Sequence, residues 1–275
     1  MELLRGGSVV REAGVDGANS RGVAITPSST ANTKGSWADI VAATARASDV
    51  LELELLSTAW QSDSLVDIAT KDGASAEEII INNLKVDRYQ GQMLYRYRFP
   101  IRVRQGVALR ARCQYSTGGA TPNHYVAAKL GAGGPGAHHA GGFEVVDTYG
   151  ANTADSGGTA IDPGGTANTK GSWVQLSGAL PRPINHLVLS VGNGAVGRVN
   201  PVHWLLDIGV GAAASEVLVI PNIFLTSSHL EDLPIGSGLA FDCYIPAGSR
   251  LAARAQCSST DANDRLFDLI AYGVS

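Results

Sequence analysis

Residues Gly22–Trp37 read GVAITPSSTANTKGSW, and residues Gly158–Trp173 read GTAIDPGGTANTKGSW. Twelve of the sixteen aligned positions are identical, including the unbroken run Thr30–Trp37 against Thr166–Trp173. A match of that length within one chain marks a tandem duplication. The chain must then be read as two copies of one domain.

Weaker matches continue the repeat past this block. LELELL (Leu51–Leu56) corresponds to LVLSVG (Leu187–Gly192), Leu65–Ile68 to Leu205–Ile208, and Ala76–Asn83 to Ser215–Asn222. Late in each copy, Val107–Thr117 is matched to Leu251–Thr260, which sets Cys113 against Cys257. Each copy is roughly 125 to 130 residues, an ordinary domain size. The expected organisation is a first repeat over residues 1–132, a Gly-rich linker over 133–142 and a second repeat over 143–275. The linker stretch GAGGPGAHHAGG (Gly131–Gly142) has little side-chain volume to bury. Its His138–His139 pair is not expected to hold a metal, because a flexible segment does not preorganise ligands.

The apolar pattern has period two or short continuous runs, as in LELELL, EIIIN and HLVLSV, and 33 Gly and 11 Pro punctuate the chain. Period two places alternate side chains on opposite faces of a strand. Turn signals recur at short intervals, which is the signature of a sandwich or barrel. The expected fold class is all-β: two tandem jelly-roll-like β-sandwich domains, with about eight strands in each. Three cysteines in 275 residues do not make a disulfide framework. No apolar run reaches the ~18 residues of a membrane span. The segment MELLRGGSVVREAG has no apolar core followed by a small-residue cleavage site, so synthesis in the cytosol without a secretory signal is expected.

Short catalytic motifs are missing. There is no phosphate-binding Gly-rich loop ending in Lys, and no GxGxxG, HExxH, GxSxG or CxxC. The chain is accordingly expected not to be an enzyme and to need no cofactor or metal. Asp67 and Asp207 are equivalent acids, expected to accept backbone hydrogen bonds at a strand end. In the shared block, Asn-Thr-Lys-Gly is turn chemistry, and Trp37 and Trp173 are expected to open a strand and plug the sandwich. The same two tryptophans are the candidate glycan contacts of a second reading, in which they stack on sugar rings.

Charge separates the copies. Residues 1–140 hold 15 Lys+Arg and 13 Asp+Glu, whereas residues 141–275 hold 6 and 12. In YRYRFPIRVRQGVALRAR, Arg96, Arg98, Arg102 and Arg104 alternate with aromatic and aliphatic residues. A hairpin turn near Gly106 is expected to bring Arg110 and Arg112 back beside them, as one basic face. Like charges on neighbouring strands cost energy unless neutralised. Either Glu52 and Glu54 pair with the row, or the row is an interface for an acidic partner. Nucleic acid is not expected, because the net charge is −4 and the row has no exposed aromatics for stacking.

The repeated GTANTKGSW-type turn in a tandem β-sandwich with Gly-rich joints resembles virion structural proteins of tailed bacteriophages and gene-transfer-agent-like particles. The resemblance rests on Thr30–Trp37, Thr166–Trp173 and the overall architecture, about a tenth of the chain by motif. It implies a component of a head decoration, spike, tail or fibre. Such a protein is assembled in the host cytoplasm and works as a homo-oligomer with other virion proteins as partners. The alternative is a carbohydrate-binding module or host-recognition adhesin with a glycan site on each sandwich.

Overall fold

A computed structural model describes residues 10–15, 21–57, 63–86, 93–117, 124–131, 145–193, 200–227 and 238–275. The linker 133–142, with His138 and His139, lies outside the described residues, as do Trp60 and His229.

The first unit runs through β1 (Val10–Ala13), β2 (Val23–Ile25), β3 (Ala38–Val41), β4 (Val50–Ser57), β5 (Ser64–Lys71), β6 (Glu78–Val86), β7 (Met93–Phe99), β8 (Ala108–Tyr115) and β9 (His124–Gly131). The second runs through β10 (Val146–Tyr149), β11 (Thr159–Ile161), β12 (Val174–Ser177), β13 (Ile184–Asn193), β14 (His203–Val210), β15 (Val217–Thr226), β16 (Leu239–Ile245) and β17 (Leu251–Cys257). The one-turn helix α1 (Ala262–Arg265) and β18 (Phe267–Val274) follow. The fold is all-β, a pair of β-sandwiches. One sheet of the first unit has the order β1-β9-β4-β7 with β2 also on β9, and the other is β3-β8-β5-β6. The second unit repeats both, as β10-β18-β13-β16 with β11 on β18, and β12-β17-β14-β15. Every strand pair is antiparallel.

The LELELL strand behaves as its alternation requires. Leu51, Leu53 and Leu55 are fully buried, while Glu52 and Glu54 lie on the outer face beside Arg98 and Arg96 of β7. The equivalent β13 is different. Leu187, Leu189 and Val191 enter the second unit's own core, whereas Val188, on the opposite face, belongs to the core of the first unit. Ile270, Tyr272 and Val274 of β18 do the same. The sheet β10-β18-β13-β16 is therefore covered on both faces, and its outer face closes the open side of the first sandwich.

That closure is specific. β6 and β7 are edge strands, each with one sheet neighbour. The Tyr272 hydroxyl accepts from the Lys85 amide at 2.8 Å and donates to the Asn83 carbonyl at 3.1 Å, standing where a neighbouring strand would. Thr148 donates to the Asn82 carbonyl at 2.5 Å, and the Gly238 amide donates to the Arg96 carbonyl at 2.8 Å. Tyr97 donates to the Lys85 carbonyl at 2.6 Å and meets Ser190 Oγ at 2.7 Å. The Phe99 and Tyr97 rings stand edge-on to Tyr272 at 5.9 and 6.2 Å. A Cβ on Gly238 would lie 2.6 Å from Val188 and 2.8 Å from Tyr97, so only glycine permits the approach.

Strand pairing also corrects the alignment of the two copies. Asp67 opposes Arg112 as Asp207 opposes Arg254, and Val66 opposes Cys113 as Leu206 opposes Ala255. Cys113 therefore matches Ala255, and Cys257 matches Tyr115. The expected pairing of Cys113 with Cys257 was slipped by two residues, a shift that preserves period two and so is invisible to alternation. All three cysteines are free.

Replacing Tyr272 by Phe strands the Lys85 amide and the Asn83 carbonyl inside the junction. We expect a loss of about 2 kcal/mol in urea unfolding, as for buried unsatisfied backbone groups, with both units still unfolding in one transition.

Candidate functional site

The duplicated block forms the same structure twice. Asn32 and Asn168 both take left-handed backbone, with φ of 56°. Their amides donate to the Tyr115 and Cys257 carbonyls, and Gly35 and Gly171 donate to those of Cys113 and Ala255. The loop thus runs along the edge of β8 beyond β3, and in the second unit along β17 beyond β12. Lys34 reaches Asp67 at 2.7 Å, as Lys170 reaches Asp207 at 2.7 Å. Arg112 and Arg254 bond the second oxygen of those acids at 2.9 and 3.1 Å, and each guanidinium lies 4.5 Å from the ring centre of Trp37 or Trp173. Asp67 and Asp207 also accept from the Asn83 and Asn222 amides. These acids sit mid-strand rather than at a strand end. Each is almost fully buried, and three donors surround it. Burial raises the Asp207 carboxyl, but Lys170, the Asn222 amide and Arg254 outweigh it and hold the acid below the ordinary carboxylate value. Burial lowers the Lys34 amine despite Asp67. Trp37 and Trp173 are half-buried and immediately precede β3 and β12. A groove beside Trp37 is lined by Thr26, Pro27, Ser28 and Lys34.

The six arginines do not form one face. β7 and β8 lie in opposite sheets of the sandwich, because the chain crosses between them at Ile101 and Val103, both buried. Arg96 is on the outer face of one sheet, paired with Glu54 at 3.0 Å. Arg98 stands opposite Glu52 in the register. Arg102 and Arg104 follow in the crossover. They line a shallow cavity with Glu78, and Arg104 lies 3.6 Å from that acid. Arg110 and Arg112 are on the outer face of the other sheet. Arg110 pairs with Asp39 at 2.6 Å and with Glu77, and Arg112 pairs with Asp67. Alternation was read correctly on each strand, but the turn joins two sheets rather than a hairpin.

A Ser–His pair lies in the core. Ser64 Oγ is 2.7 Å from His124 Nε2 and donates to the Val86 carbonyl, so the imidazole carries its proton on Nε2. Both residues are fully buried and His124 Nδ1 has no partner. The pair lacks the orienting acid and the access that a nucleophile requires. Burial holds His124 at about 3, far below the ordinary value.

The strongest candidate site is at the junction. A cleft of about 520 Å³ is lined by Asp63 of the first unit, by Gly150–Asn152, Asp155 and Gly157–Ala160 of the second, and by Asp268 of β18. Lys85 Nζ lies 3.4 Å from Asp63 and 3.8 Å from Asp268, joining acids of the two units. Asp268 accepts from the Gly158 amide, and Asp155 accepts from the Gly157 amide and Asn152. A Cβ at Gly157 would stand within 3.0 Å of both acids, which is why glycine lies between them. Burial raises the Asp268 carboxyl above its ordinary value, against the pull of Lys85 and the Gly158 amide. On the far side of the same loop, Gln114 donates to Ser156 and to the Thr153 carbonyl, at 3.0 Å each, fixing the second unit's loop on the first unit's sheet.

Neither the acids of the cleft nor Lys85 was singled out from sequence. By register, Asp63, Lys85 and Asp268 stand where the other copy has His203, Phe224 and Tyr125. The cleft therefore occurs once, unlike the tryptophan clusters. Divergence between copies was the available signal.

No family model matches the chain, and no curated protein does. Among solved structures, it is similar to PNGase F, a glycosylasparaginase from Flavobacterium meningosepticum, at 9% identity and a TM-score of 0.41, covering 98% of this chain and 95% of that one. It is also similar to PNGF-II, at 10% identity and a TM-score of 0.40 over 96% of this chain, which spans 65% of that protein. A third is the N-terminal CBM22-1–CBM22-2 tandem domain of Paenibacillus barcinonensis Xyn10C, at 10% identity and a TM-score of 0.27, covering 98% of this chain and 92% of that one. These likenesses concern the fold and transfer no residue roles. They do correct one expectation. The chain was read as not an enzyme from missing short motifs, yet enzymes are among the structures it resembles. Acids gathered from distant strands, as in the cleft, leave no linear motif.

Two outcomes follow from these geometries. His124 is neutral in the fold and takes a proton only when unfolded, so its contribution is intact above pH ~6.5 and lost as pH falls toward 3. We expect a loss of about 1.4 kcal/mol per pH unit in that window, which His124→Gln removes in urea titrations at pH 7 and pH 5. Asp207→Ala leaves Lys170 and Arg254 without their shared acid and should cost about 3 kcal/mol, read by thermal unfolding.

Proposed function

We propose that the protein binds a carbohydrate, and that the ligand occupies the cleft at the junction of the two units. The observation that carries this reading is the convergence of Asp63, Asp155 and Asp268, with Asn152 and backbone groups of Gly150–Ala160, on one open cavity. Carboxylates accept two hydrogen bonds or more, and the vicinal hydroxyls of a sugar donate in pairs. Among the described residues, three acids face the cation Lys85 and leave the lining net negative when they are ionised, which disfavours anionic ligands and favours neutral polyhydroxylated ones. The lining is mostly polar side chains and glycine backbone, a poor surface for an apolar ligand. The two units are locked together through Tyr272 and Tyr97, so both walls of the cleft are preorganised.

This reading moves the glycan site away from the repeated tryptophans, where Arg112 and Arg254 already occupy a ring face. It gives one site per chain rather than two. The phage-particle reading has only the repeated turn and the tandem architecture behind it.

The test is retention on a panel of immobilised neutral oligosaccharides. The wild type should be retained, and Asp155→Asn and Asp268→Asn should weaken binding by at least about tenfold, the value of a lost charge-assisted hydrogen bond. Trp37→Ala and Trp173→Ala should retain binding wherever they fold. Loss of binding in the folded tryptophan variants alone would move the site to the repeated loops, and no retention of the wild type would sink the reading. Release of sugar by the wild type but not by Asp268→Asn would add hydrolysis to binding.

A further inference from the structure

Among the described residues, one edge of the second unit lacks the cover that its counterpart in the first unit has. β15 and β16 are the second unit's equivalents of β6 and β7, and each has one sheet neighbour. In the first unit the inward side chains behind this edge are closed off: Ile81, Leu84, Tyr97 and Phe99 are at most 1% exposed. Their counterparts Ile220, Ile223, Leu239 and Phe241 are only partly buried. Four of the seven large apolar side chains exposed among the described residues belong to the two strands of this edge: Val217, Leu218 and Phe224 of β15, the last with one ring face on His203 at 5.9 Å, and Tyr244 of β16. By register, Val217 stands where the first unit has Glu78, Phe224 where it has Lys85, and Tyr244 where it has Arg102. The uncovered edge is thus the more apolar of the two, the reverse of what solvent alone would select.

We propose that two copies of this chain associate through the β15–β16 edge about a two-fold axis. The covered edge shows what covers such an edge in this protein, namely another sandwich of the same kind. Head-to-tail repetition of the internal contact is disfavoured by charge. The face that covers β6 and β7 presents Val188, Ser190 and Tyr272, and the equivalent positions in the first unit are Glu52, Glu54 and Lys129. The second unit's own covering face is already occupied. What remains is edge against edge, a self-complementary contact in which a two-fold axis sets antiparallel strands side by side. β15 suits it: ten residues, VLVIPNIFLT, without a charge. Edge strands usually carry such charges as protection. Pro221 removes one backbone donor midway, so the apolar side chains on either side of it carry the contact rather than a continuous ladder.

The test places the first unit's own residues on the second unit's edge. Wild type and the double variant Val217→Glu with Phe224→Lys are compared by sedimentation equilibrium, with circular dichroism and thermal unfolding to check the fold. Both sites are exposed, so the variant should fold. The wild type should sediment at twice the 28.5 kDa chain mass and the variant at the chain mass. Arg98→Glu with Arg102→Glu, on β7 and in the crossover of the first unit, should remain dimeric. A monomeric wild type, a dimeric edge variant, or a dimer lost only in the arginine variant would each overturn the proposal.

Discussion

The structure depends on one sheet that must be buried on both faces. In β10-β18-β13-β16, odd and even side chains serve different cores: Leu187 and Leu189 fill the second sandwich while Val188 fills the first. The first unit has no such sheet, and its β4 alternates Leu with Glu. Without the second unit, the backbone of β6 and the ring of Tyr97 would meet water. The two sandwiches are therefore joined through a shared core. Tyr272 holds the junction, since one hydroxyl serves a donor and an acceptor of an edge strand while its ring packs on two aromatics.

The identity of the repeated block has a separate cause. Asparagine permits the left-handed turn, lysine and arginine neutralise a buried aspartate, and tryptophan lies under the arginine. Gly35 passes so close to the Thr26 carbonyl that no Cβ fits. Each position of TANTKGSW that makes one of these contacts has little freedom to change, whereas the loops around it have drifted. Arg110 and Arg250 show how drift is tolerated: the two copies pair Glu77 and Glu216 with an arginine taken from different positions of the equivalent strand.

Much of the fold could be read from residues alone. The block announced the duplication and LELELL a strand, whereas HLVLSV was read only as its equivalent although its continuous apolar run is that of a doubly buried strand. What failed did so because period two is blind to certain errors. A two-residue slip kept Cys113 and Cys257 on the same face while misaligning them. The arginine alternation continued through Pro100 without signalling that the chain was changing sheets at Ile101 and Val103. The cleft was beyond reach for another reason: Asp63, Lys85 and Asp268 are meaningful only at the contact of two units, and no local pattern encodes a contact between strands so far apart. The copies nevertheless disagree in polarity there, with Lys85 against Phe224 and Tyr272 against Lys129, and such disagreements mark where duplicated domains meet different neighbours.

The junction also imposes a wait. Tyr272 follows Lys85, whose amide it satisfies, by 187 residues. A ribosome adding about 5–20 residues per second needs on the order of ten seconds or more to bridge that separation. Even after β9 is complete, the first unit waits for Tyr272 with its β6 edge bare and its core open on one side. Unpaired strand edges of this kind are what nascent chains aggregate through. The bond that makes the finished molecule one body thus makes the first half of its synthesis the hazardous part.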